Sequence, residues 1–410
     1  MRPLEGVRII DLTVAVAGPV ATSLLADLGA EVVRVEPPFA RPGTHLDVAP
    51  HVPGTPDRPY NRLVGYSDLH RGKRAVTLDL SRAEGRSVLL RLAAISDAVV
   101  ENMSPRVIDG LGIGYEALRA PKPDIVLVSM PAFGRDGPLR DRVAYGPGID
   151  AASGLSWLTG YPDRGPMNPA NYYADYTSGV MAALATIVAL RHRDRTGEGQ
   201  HVEAAMIDAE LQAVGEALLD YTMNARVQTR TGNAHPAMSP HGVYASAGED
   251  RWIAVACEDD AQWRAICHTI GRPELARDER YADVVSRAHR RDEIDAIVSA
   301  WTRDRGPHEA AEALQAAGVA ASAVQTVPEL LDDPQLAARG FVHRVRHAEA
   351  GEMPHMRAAF TLAGAEVGPD AGAPLYGEGT EYVFGDLLGM STAQMAALEE
   401  AGVARREHPG

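Results

Sequence analysis

The stretch NPANYYADYTSGVMAALATIVALRHR, from Asn168 to Arg193, decides how the rest of this chain is organised. A polar segment leads into an apolar run in which only Thr186 is polar between Val180 and Leu190. A helix of this composition is expected to be buried on nearly all sides. One carboxylate, Asp175, stands where the helix begins. The stretch therefore predicts a central core helix with an acidic residue at its N-terminal end.

The residues alone leave two interpretations of Asp175 open. Aspartate is a preferred N-cap residue, because its side chain accepts hydrogen bonds from the free N–H groups of the first helical turn. The same position also favours the ionised form of a carboxylate, through the partial positive charge at the helix N-terminus. An ionised carboxylate facing a cleft is a nucleophile for covalent catalysis. Asp175 is therefore either a structural cap or a catalytic residue.

Composition limits the classes of protein to which the chain can belong. Its 410 residues predict about two domains, and its net charge of −15 argues against a nucleic-acid partner. Two cysteines, Cys257 and Cys267, make no disulfide framework and are typical of a reducing compartment. The N-terminus does not resemble a secretory signal, and the apolar part of the central helix is short and ends in basic residues. We therefore expect a cytoplasmic protein with no membrane span.

The first part of the chain alternates between strand and helix patterns. A capping box at Ser81–Glu84 predicts the start of one helix, and the segment rich in proline and glycine from 37 to 65 predicts a long loop. Alternation at this spacing is typical of βαβ units and of a parallel, doubly wound sheet. The predicted strands are Val7–Leu12, Glu31–Glu36, Ala75–Leu80, Ala98–Asn102 and Ile125–Met130, and a later helix is predicted from Met206 to Met223.

The remainder of the chain predicts a second, smaller α+β domain. The sequence GVYASAGEDRWIAVAC is typical of a β-hairpin that turns at Ala247–Asp250. Three helical segments follow it, at Asp260–Ile270, Arg291–Thr302 and Pro307–Ala317. The fold class is therefore α/β, with a mostly parallel, doubly wound sheet in the large domain. We predict a large domain over 1–225, a small domain over 226–325 and a C-terminal segment over 326–410 that returns to the large domain.

Several common ligand motifs are absent from the sequence. The first strand is not followed by G-x-G-x-x-G, and neither a phosphate-binding P-loop nor a G-x-S-x-G elbow occurs. His343 and His347 share one face of a predicted strand, but no third metal ligand accompanies them. We therefore expect no metal and no permanently bound cofactor.

An ordered set of sequence blocks resembles the family III CoA-transferases, the group that contains the formyl-CoA and carnitine CoA-transferases. The resemblance extends from Pro3 to Val403. It implies a Rossmann-like large domain, a smaller domain and a homodimer with interlocked subunits. The blocks are PLEGVRIIDLTVAVAGP, LLADLGAEVVRVE, RGKRAVTLDL, VENMSPRVIDGLGIGYEAL, LTGYPDRGP, RHRDRTGEGQHVEAAMIDA and RTGNAHPAMSP.

The resemblance also implies a reaction and a set of site residues. Asp175, which follows Ser153-Gly154 at the family's spacing, corresponds to the catalytic aspartate that forms an acyl anhydride and then an aspartyl-CoA thioester. The partners would be an acyl-CoA donor and a carboxylic acid acceptor. CoA-binding positions carried over are Val16, Ala17, Leu78, Asp79, Asn102, Met103 and Tyr145, with Arg71, Lys73 and Arg106 either neutralising phosphates or lying on the solvated surface.

Two other hypotheses about function concern proteins of the same fold. An α-methylacyl-CoA racemase needs a His-Asp acid–base pair, but this chain carries Tyr145-Gly146 where that family has the pair. A non-catalytic CoA-binding homologue would not need Asp175. We therefore predict a CoA-transferase.

Overall fold

The computed structural model describes residues 2–39, 58–169 and 172–408. Two compact units divide the chain, and we call them the sheet unit and the small unit. The sheet unit consists of Met1–Ser156, Asn168–Val227 and Ala337–Gly410, and the small unit of Trp157–Met167 and Gln228–Leu336. Part of the predicted loop, residues 40–57, and residues 170–171 of the central stretch lie outside the described residues.

The described residues up to 227 alternate between strands and helices, as the sequence pattern predicts. Their elements are β1 (Arg8–Asp11), α1 (Ala17–Asp27), β2 (Glu31–Glu36), α2 (Val64–Leu69), β3 (Arg74–Thr77), α3 (Ala83–Ala93), β4 (Ala98–Glu101), α4 (Pro105–Leu111), α5 (Tyr115–Arg119), β5 (Val126–Ser129), α6 (Gly146–Ala152), α7 (Leu155–Leu158), α8 (Tyr173–Thr196), β6 (His201–Glu203), α9 (Met206–Leu211) and α10 (Gly215–Asn224).

The six strands form one parallel sheet in the order β3-β2-β1-β4-β5-β6. The chain moves outward from β1 to β3, then crosses back to place β4 on the other side of β1. This is the strand order of a doubly wound nucleotide-binding sheet, in which ligands bind at the carboxyl ends of the strands where the order reverses. That switch point lies between β1 and β4.

Alternating strand residues supply two separate cores, one on each face of the sheet. Ile9 and Val32 pack with residues of α1 and α8, whereas their neighbours Ile10 and Val33 pack with residues of α3 on the opposite face. Successive strand side chains point to opposite faces, so a strand buried on both faces has a continuous apolar sequence. At the crossing of α1 and α8, a Cβ on Gly179 would lie 2.7 Å from the carbonyl oxygen of Ala17. Glycine therefore allows the two helices to touch.

Helix α8 runs as one continuous helix, but it is not buried on all sides. An apolar face carries Val180, Met181, Leu184 and Val188, which are between 44% and 58% exposed. The sequence prediction of a helix buried nearly all round is therefore wrong for this chain alone. The helix is also longer than the sequence predicted, because α8 is long and apolar enough to cross a membrane by length and composition. Half of that apolar window is buried within the protein, and a core helix meets the same criterion.

The small unit contains a three-stranded antiparallel sheet covered by helices. The predicted hairpin is confirmed as β7 and β8, and a third strand, β9, joins it. Trp263, Ile266 and Val298 belong to its core. The elements are β7 (His241–Ala245), β8 (Trp252–Ala256), α11 (Asp260–Thr269), α12 (Val284–His289), α13 (Arg291–Thr302), α14 (Pro307–Ala316), β9 (Ala320–Ala323), α15 (Val327–Leu331) and α16 (Pro334–Ala338), the last of which crosses into the sheet unit.

The boundaries of the small unit differ from the predicted 226 and 325. Its C-terminal limit falls at Leu336, because Glu329 of α15 forms an ion pair of 2.5 Å with Arg251. The short segment Trp157–Met167 also belongs to it, since the carbonyl oxygen of Trp157 accepts a hydrogen bond of 3.1 Å from Arg230. Both connections join residues distant in sequence, which local patterns do not reveal.

Residues 337–408 return to the sheet unit. They form a hairpin of β10 (Val342–His347) and β11 (Gly351–Met356), a π-helical turn at Glu381–Leu387 and α17 (Thr392–Glu400). Val383, Phe384 and Met395 complete the apolar core on the face that carries α3. Backbone and side-chain hydrogen bonds also tie this segment to the strands, namely Gly379 to Ala75, Tyr382 to Glu31, and Thr77 to Arg405.

Two local predictions within the sheet unit are wrong. Ser81 does not cap α3, because its hydroxyl donates to Asp79 at 2.6 Å while Arg82 occupies the N-cap position without a capping side chain. The helix predicted from Met206 to Met223 is broken by a 3₁₀ turn at Gln212–Val214. The break separates α9, which contributes to the site described next, from α10.

Candidate active site

Asp175 lies in the first turn of α8. Tyr172, the residue just before the helix, has a left-handed backbone conformation with φ of +58°. This conformation turns the chain sharply into the helix. Asp175 is only 6% exposed, so its carboxylate lies within the protein surface. Left-handed residues other than glycine are uncommon, and they concentrate at functional sites.

The β1–α1 loop meets this carboxylate. A hydrogen bond from the backbone of Ala17, the first residue of α1, reaches the Asp175 side chain. Ala15 in the same loop has φ of +59°, a second strained position beside the site. Asn102, which follows β4, fixes the loop by accepting from Val14 N and donating to Val14 O, both at 2.8 Å. The switch point between β1 and β4 therefore adjoins Asp175.

Gly146, the first residue of α6, gives the carboxylate its space. A Cβ built on Gly146 would lie 1.9 Å from Oδ2 of Asp175, so any other residue would displace the side chain. Tyr145, the residue before it, is 72% exposed. The structure therefore places Tyr145 at the edge of the site, next to the glycine on which Asp175 packs.

The electrostatics of Asp175 differ from the sequence expectation. Burial raises the pKa of Asp175 above its ordinary value, the hydrogen bond from Ala17 lowers it in part, and the nearby charge of Asp150 raises it further. The helix N-terminus was expected to favour the ionised form, but desolvation and a like charge outweigh it. Asp175 is thus a carboxylate that neither water nor a cation stabilises fully.

Two further carboxyl groups lie behind Asp175, and the sequence analysis missed both. Asp150 of α6 and Glu210 of α9 are buried and contact each other through their side chains. The Thr177 hydroxyl, on the first turns of α8, lies 3.3 Å from Oε2 of Glu210 and 3.0 Å from the carbonyl oxygen of Tyr173. No local sequence signal distinguishes Glu210 from Asp208, which is exposed on the same helix, so only the fold identifies the pair.

The other predicted CoA-binding residues fall into two groups. Val16, Ala17, Asn102 and Met103 come together at the carboxyl ends of β1 and β4. The Leu78 side chain instead packs in the core at the end of β3. Asp79 follows it and accepts from the Ser81 backbone at 3.0 Å. The Leu78 side chain is therefore not available to a ligand.

Lys73 does not lie where it can bind a phosphate, which corrects one prediction. Its ammonium group is fully buried and donates to Thr22 Oγ1 at 2.7 Å, Asp11 Oδ2 at 3.0 Å and the carbonyl oxygen of Pro19 at 3.2 Å. Burial lowers the pKa of Lys73 to about 8, although the charge of Asp11 partly restores it. His70 Nδ1 lies 3.1 Å from the same nitrogen, so the three N–H donors of the lysine have partners within the protein.

Arg71 is likewise committed to the protein, whereas Arg106 is not. Arg71 forms an ion pair of 2.7 Å with Asp27 and donates to the carbonyl oxygen of Asp68 at 2.7 Å. Arg106 is exposed on α4, just after Asn102 and Met103, and forms no ion pair with any described residue. Of the three predicted phosphate ligands, Arg106 alone has the exposure that the role requires. Among the described residues, no group of three His, Cys, Asp or Glu side chains is arranged to hold a metal ion.

The fold and site together define a class of protein. A doubly wound parallel sheet with a buried, uncompensated carboxylate beside its switch point is suited to a long nucleotide-bearing ligand and to covalent chemistry on it. The sequence pattern of CoA-transferase family III matches residues 4–380, and the chain belongs to that family. It is therefore a transferase that acts on CoA thioesters.

Similar proteins extend over nearly the whole chain. Succinyl-CoA–D-citramalate CoA-transferase of Chloroflexus aurantiacus is 31% identical over 404 residues, with 97% of each chain covered. Succinate–glutarate CoA-transferase of Agrobacterium fabrum is 31% identical, with 94% of this chain and 96% of that protein covered. The crystal structure of a CAIB/BAIF family protein from Brucella suis superposes with a TM-score of 0.85 at 30% identity, covering 94% and 99% of the two chains.

Proposed function

We propose that this protein transfers CoA from an acyl-CoA donor to a free carboxylic acid through covalent intermediates on Asp175. The observation that carries the proposal is the setting of that side chain. It is buried beside the switch point, receives one backbone hydrogen bond from Ala17, and has no cation among the described groups that shift its pKa. A carboxylate with so few partners is available to attack a carbonyl carbon.

The reaction balances as two exchanges at the aspartyl group. The Asp175 carboxylate attacks the donor thioester and expels CoA thiolate, which leaves an acyl-aspartyl anhydride. The thiolate then attacks the aspartyl carbonyl, releases the donor acid and forms an aspartyl-CoA thioester. The acceptor carboxylate attacks this thioester to give a second anhydride, and CoA thiolate attacks the acceptor's carbonyl. The new acyl-CoA leaves, and the Asp175 carboxylate is regenerated.

The Ala17 backbone N–H is positioned to assist each exchange. Every step passes through a tetrahedral species whose oxygen carries negative charge, and a preorganised N–H donor stabilises such an oxyanion. In the resting state the same N–H already faces the Asp175 carboxyl group. It is therefore close to the aspartyl carbonyl oxygen, which becomes negatively charged when CoA thiolate attacks the anhydride or the acceptor carboxylate attacks the thioester.

For the substrates, we propose succinyl-CoA as the donor and a small dicarboxylic acid as the acceptor. The support is the naming of the relatives, which pair succinyl-CoA with D-citramalate and succinate with glutarate. A screen with succinyl-CoA and acetyl-CoA as donors, against dicarboxylic, hydroxy and aromatic acids, tests the choice. Equal rates for monocarboxylic aromatic acids would contradict it.

The covalent role of Asp175 has a direct test. Incubation with acyl-CoA and no acceptor, followed by hydroxylamine, is expected to leave a hydroxamate at Asp175 that mass spectrometry locates. Asp175→Asn keeps the shape and is expected to lower transfer by at least about 10³-fold. Asp208→Asn, at an exposed aspartate in the first turn of α9, is the matched control. Label on another carboxylate, or near-normal transfer by Asp175→Asn, would overturn the proposal.

We further propose that the protein is a homodimer with interlocked subunits. The exposed apolar face of α8 supports this, because Val180, Met181, Leu184 and Val188 form a continuous stripe along the helix. Mixing two differently tagged preparations tests the arrangement, since interlocked subunits separate only after extensive unfolding. Rapid formation of mixed dimers under native conditions would contradict it.

We also propose that the protein acts in the cytoplasm. Cys257 and Cys267 are both buried and unpaired, and burial raises the pKa of each thiol to about 12. Thiols of this kind are typical of a reducing compartment. Fractionation of producing cells, with the protein followed by antibody, checks the location.

A further inference from the structure

The carboxyl groups of Asp150 and Glu210 form a buried pair behind the nucleophile. Asp150 is 1% exposed and Glu210 is fully buried. Each touches a different residue of the first turns of α8: the backbone of Ala174 hydrogen-bonds to Asp150, and Oε2 of Glu210 lies 3.3 Å from the Thr177 hydroxyl. Ala174 and Thr177 stand on either side of Asp175 in the sequence. The pair thus contacts the helical segment that carries the nucleophile on both sides of Asp175.

The remaining oxygens of the pair have no donor. Oδ1 of Asp150 and Oε1 of Glu210 are buried without a hydrogen-bond partner among the described residues, although the two side chains contact each other. Two ionised carboxylates in contact would repel, and each buried oxygen would lack its hydrogen bond. One proton held between them satisfies both oxygens and removes one of the two charges.

The surroundings supply no other compensation. Asp150 from α6 acts on both Glu210 from α9 and Asp175 from α8, and no basic side chain of the described chain acts on any of the three. Burial, followed by the charge of Asp150, raises the pKa of Glu210 to about 7. The pair titrates as a unit, so its shared proton is present below neutral pH and is lost above it.

We propose that Asp150 and Glu210 share one proton and act as a positioning pair, which holds the first turn of α8 and keeps Asp175 in its attacking orientation. The inference rests on the proposed role of Asp175 as nucleophile. Neither member of the pair touches the reacting atoms. When the shared proton leaves to solvent, the two carboxylates separate, and the hydrogen bonds to Ala174 and Thr177 are disturbed.

Amide variants test the proposal, because an amide supplies the bridging hydrogen at every pH. Wild-type kcat is expected to fall on the order of tenfold between pH 6 and pH 9, with the KM for acyl-CoA unchanged, since a misplaced nucleophile slows the chemical step. Glu210→Gln and Asp150→Asn are each expected to abolish that alkaline fall. Asp208→Asn, on the same helix but exposed, is expected to keep it. An alkaline fall that persists in both amide variants would overturn the proposal.

Infrared spectroscopy gives a second readout that does not depend on turnover. The carbonyl band of a protonated carboxyl group is expected in the wild type at pH 6, to disappear by pH 9, and to be absent from Glu210→Gln and from Asp150→Asn. Asp175→Asn is expected to retain the band. A band that only Asp175→Asn removes would overturn the shared proton.

The same variants separate the two proposals. If Asp175→Asn transfers CoA normally, the proposed function fails, whatever the pair does. If Asp175→Asn is inactive and the amide variants retain the wild-type pH profile, the positioning pair alone is wrong. Should an amide variant fold poorly, the infrared comparison on the other one decides the question.

Discussion

Two clusters of buried charged residues in the sheet unit differ in how their charges are balanced. The first, the matched cluster, joins the ends of β1, β2 and β3 and contains Asp11, Arg34, Glu36 and Lys73. The second, the unmatched cluster, joins α6, α8 and α9 and contains Asp150, Asp175 and Glu210. All seven side chains are buried, so burial alone does not distinguish them.

The matched cluster pairs each carboxylate with a cation. Lys73 lies 3.0 Å from Asp11, and Arg34 lies 3.3 Å from Glu36. Burial raises the pKa of Asp11, but the charges of Lys73 and Arg34 bring that pKa below its ordinary value. In the unmatched cluster, burial raises the pKa of all three carboxyl groups. A compensated cluster stabilises the fold, whereas an uncompensated one beside a cleft is where chemistry is expected.

The largest effect is expected from breaking the matched cluster. Lys73→Met removes one charge and leaves Asp11 buried beside Arg34 with fewer hydrogen bonds. Breaking a buried pair in this way costs about 3–5 kcal/mol in the free energy of unfolding, which urea denaturation measures. Arg106→Met, on the exposed face of α4, should change stability little. Unchanged stability together with a raised KM for acyl-CoA would return Lys73 to the phosphate role that the sequence predicted.

The next effect comes from crowding the unmatched cluster. Gly146→Ala places a methyl group 1.9 Å from the present position of Asp175 Oδ2, so the carboxylate must move. A displacement of this size is expected to lower kcat by about 10²-fold. Gly148→Ala, on the same helix, meets its nearest neighbour at an ordinary 3.4 Å and serves as the control. Equal activity of the two variants would show that the position of Asp175 is not critical.

A smaller effect concerns stability as a function of pH. The pKa of Glu210 is raised from 4.5 to about 7, so the folded protein keeps a proton that the unfolded chain releases near pH 4.5. The stability that this proton provides is fully present below pH 4.5 and is lost as pH rises to about 7. Glu210→Gln is expected to remove on the order of 1–3 kcal/mol of this pH dependence. Urea denaturation of both proteins at pH 5 and pH 8 measures the difference, and parallel profiles would contradict it.

The smallest effect tests a cation that belongs to neither cluster. Arg106→Ala should raise the KM for acyl-CoA a few-fold and leave kcat unchanged, because a phosphate contact acts equally on the bound substrate and the transition state. Arg119→Ala, on the neighbouring helix α5, is the control. Arg119 is also exposed, but it lies 4.0 Å from Glu116, so its charge already has a partner and the KM should not change. A change in kcat alone would exclude a phosphate contact.

The fold of the sheet unit was largely predictable, because strands buried on both faces have a distinctive sequence. Glu31–Glu36 was predicted with the bounds that the structure gives, and Arg291–Thr302 likewise in the small unit. The periodic pattern of a strand or helix is local information. Segments that join the small unit through contacts with residues distant in sequence, such as Trp157–Met167, carry no such pattern.

The roles of the charged residues were harder to predict, because the sequence does not show whether a charged side chain has a partner in the fold. Lys73 lies between Arg71 and Arg74 and resembles an exposed basic patch. Only the fold brings Asp11 to it, across 62 positions of sequence. The position of Asp175 at a helix start followed from the sequence, but the groups that set its pKa lie on α1, α6 and, through Asp150, α9.

The return of residues 337–408 to the sheet has a consequence for the order in which the chain folds during synthesis. Strands β1 to β5 are complete at Ser129, but Gly379, Tyr382 and Arg405 form further hydrogen bonds with β2 and β3, and Phe384 completes a core. Roughly 250 residues separate Ser129 from Gly379, which a ribosome makes in on the order of 10–50 s. The small unit, nearly contiguous in sequence, can fold within that interval. Until then the apolar faces of the earlier strands are exposed to solvent. We expect chaperones to bind the nascent chain during this period.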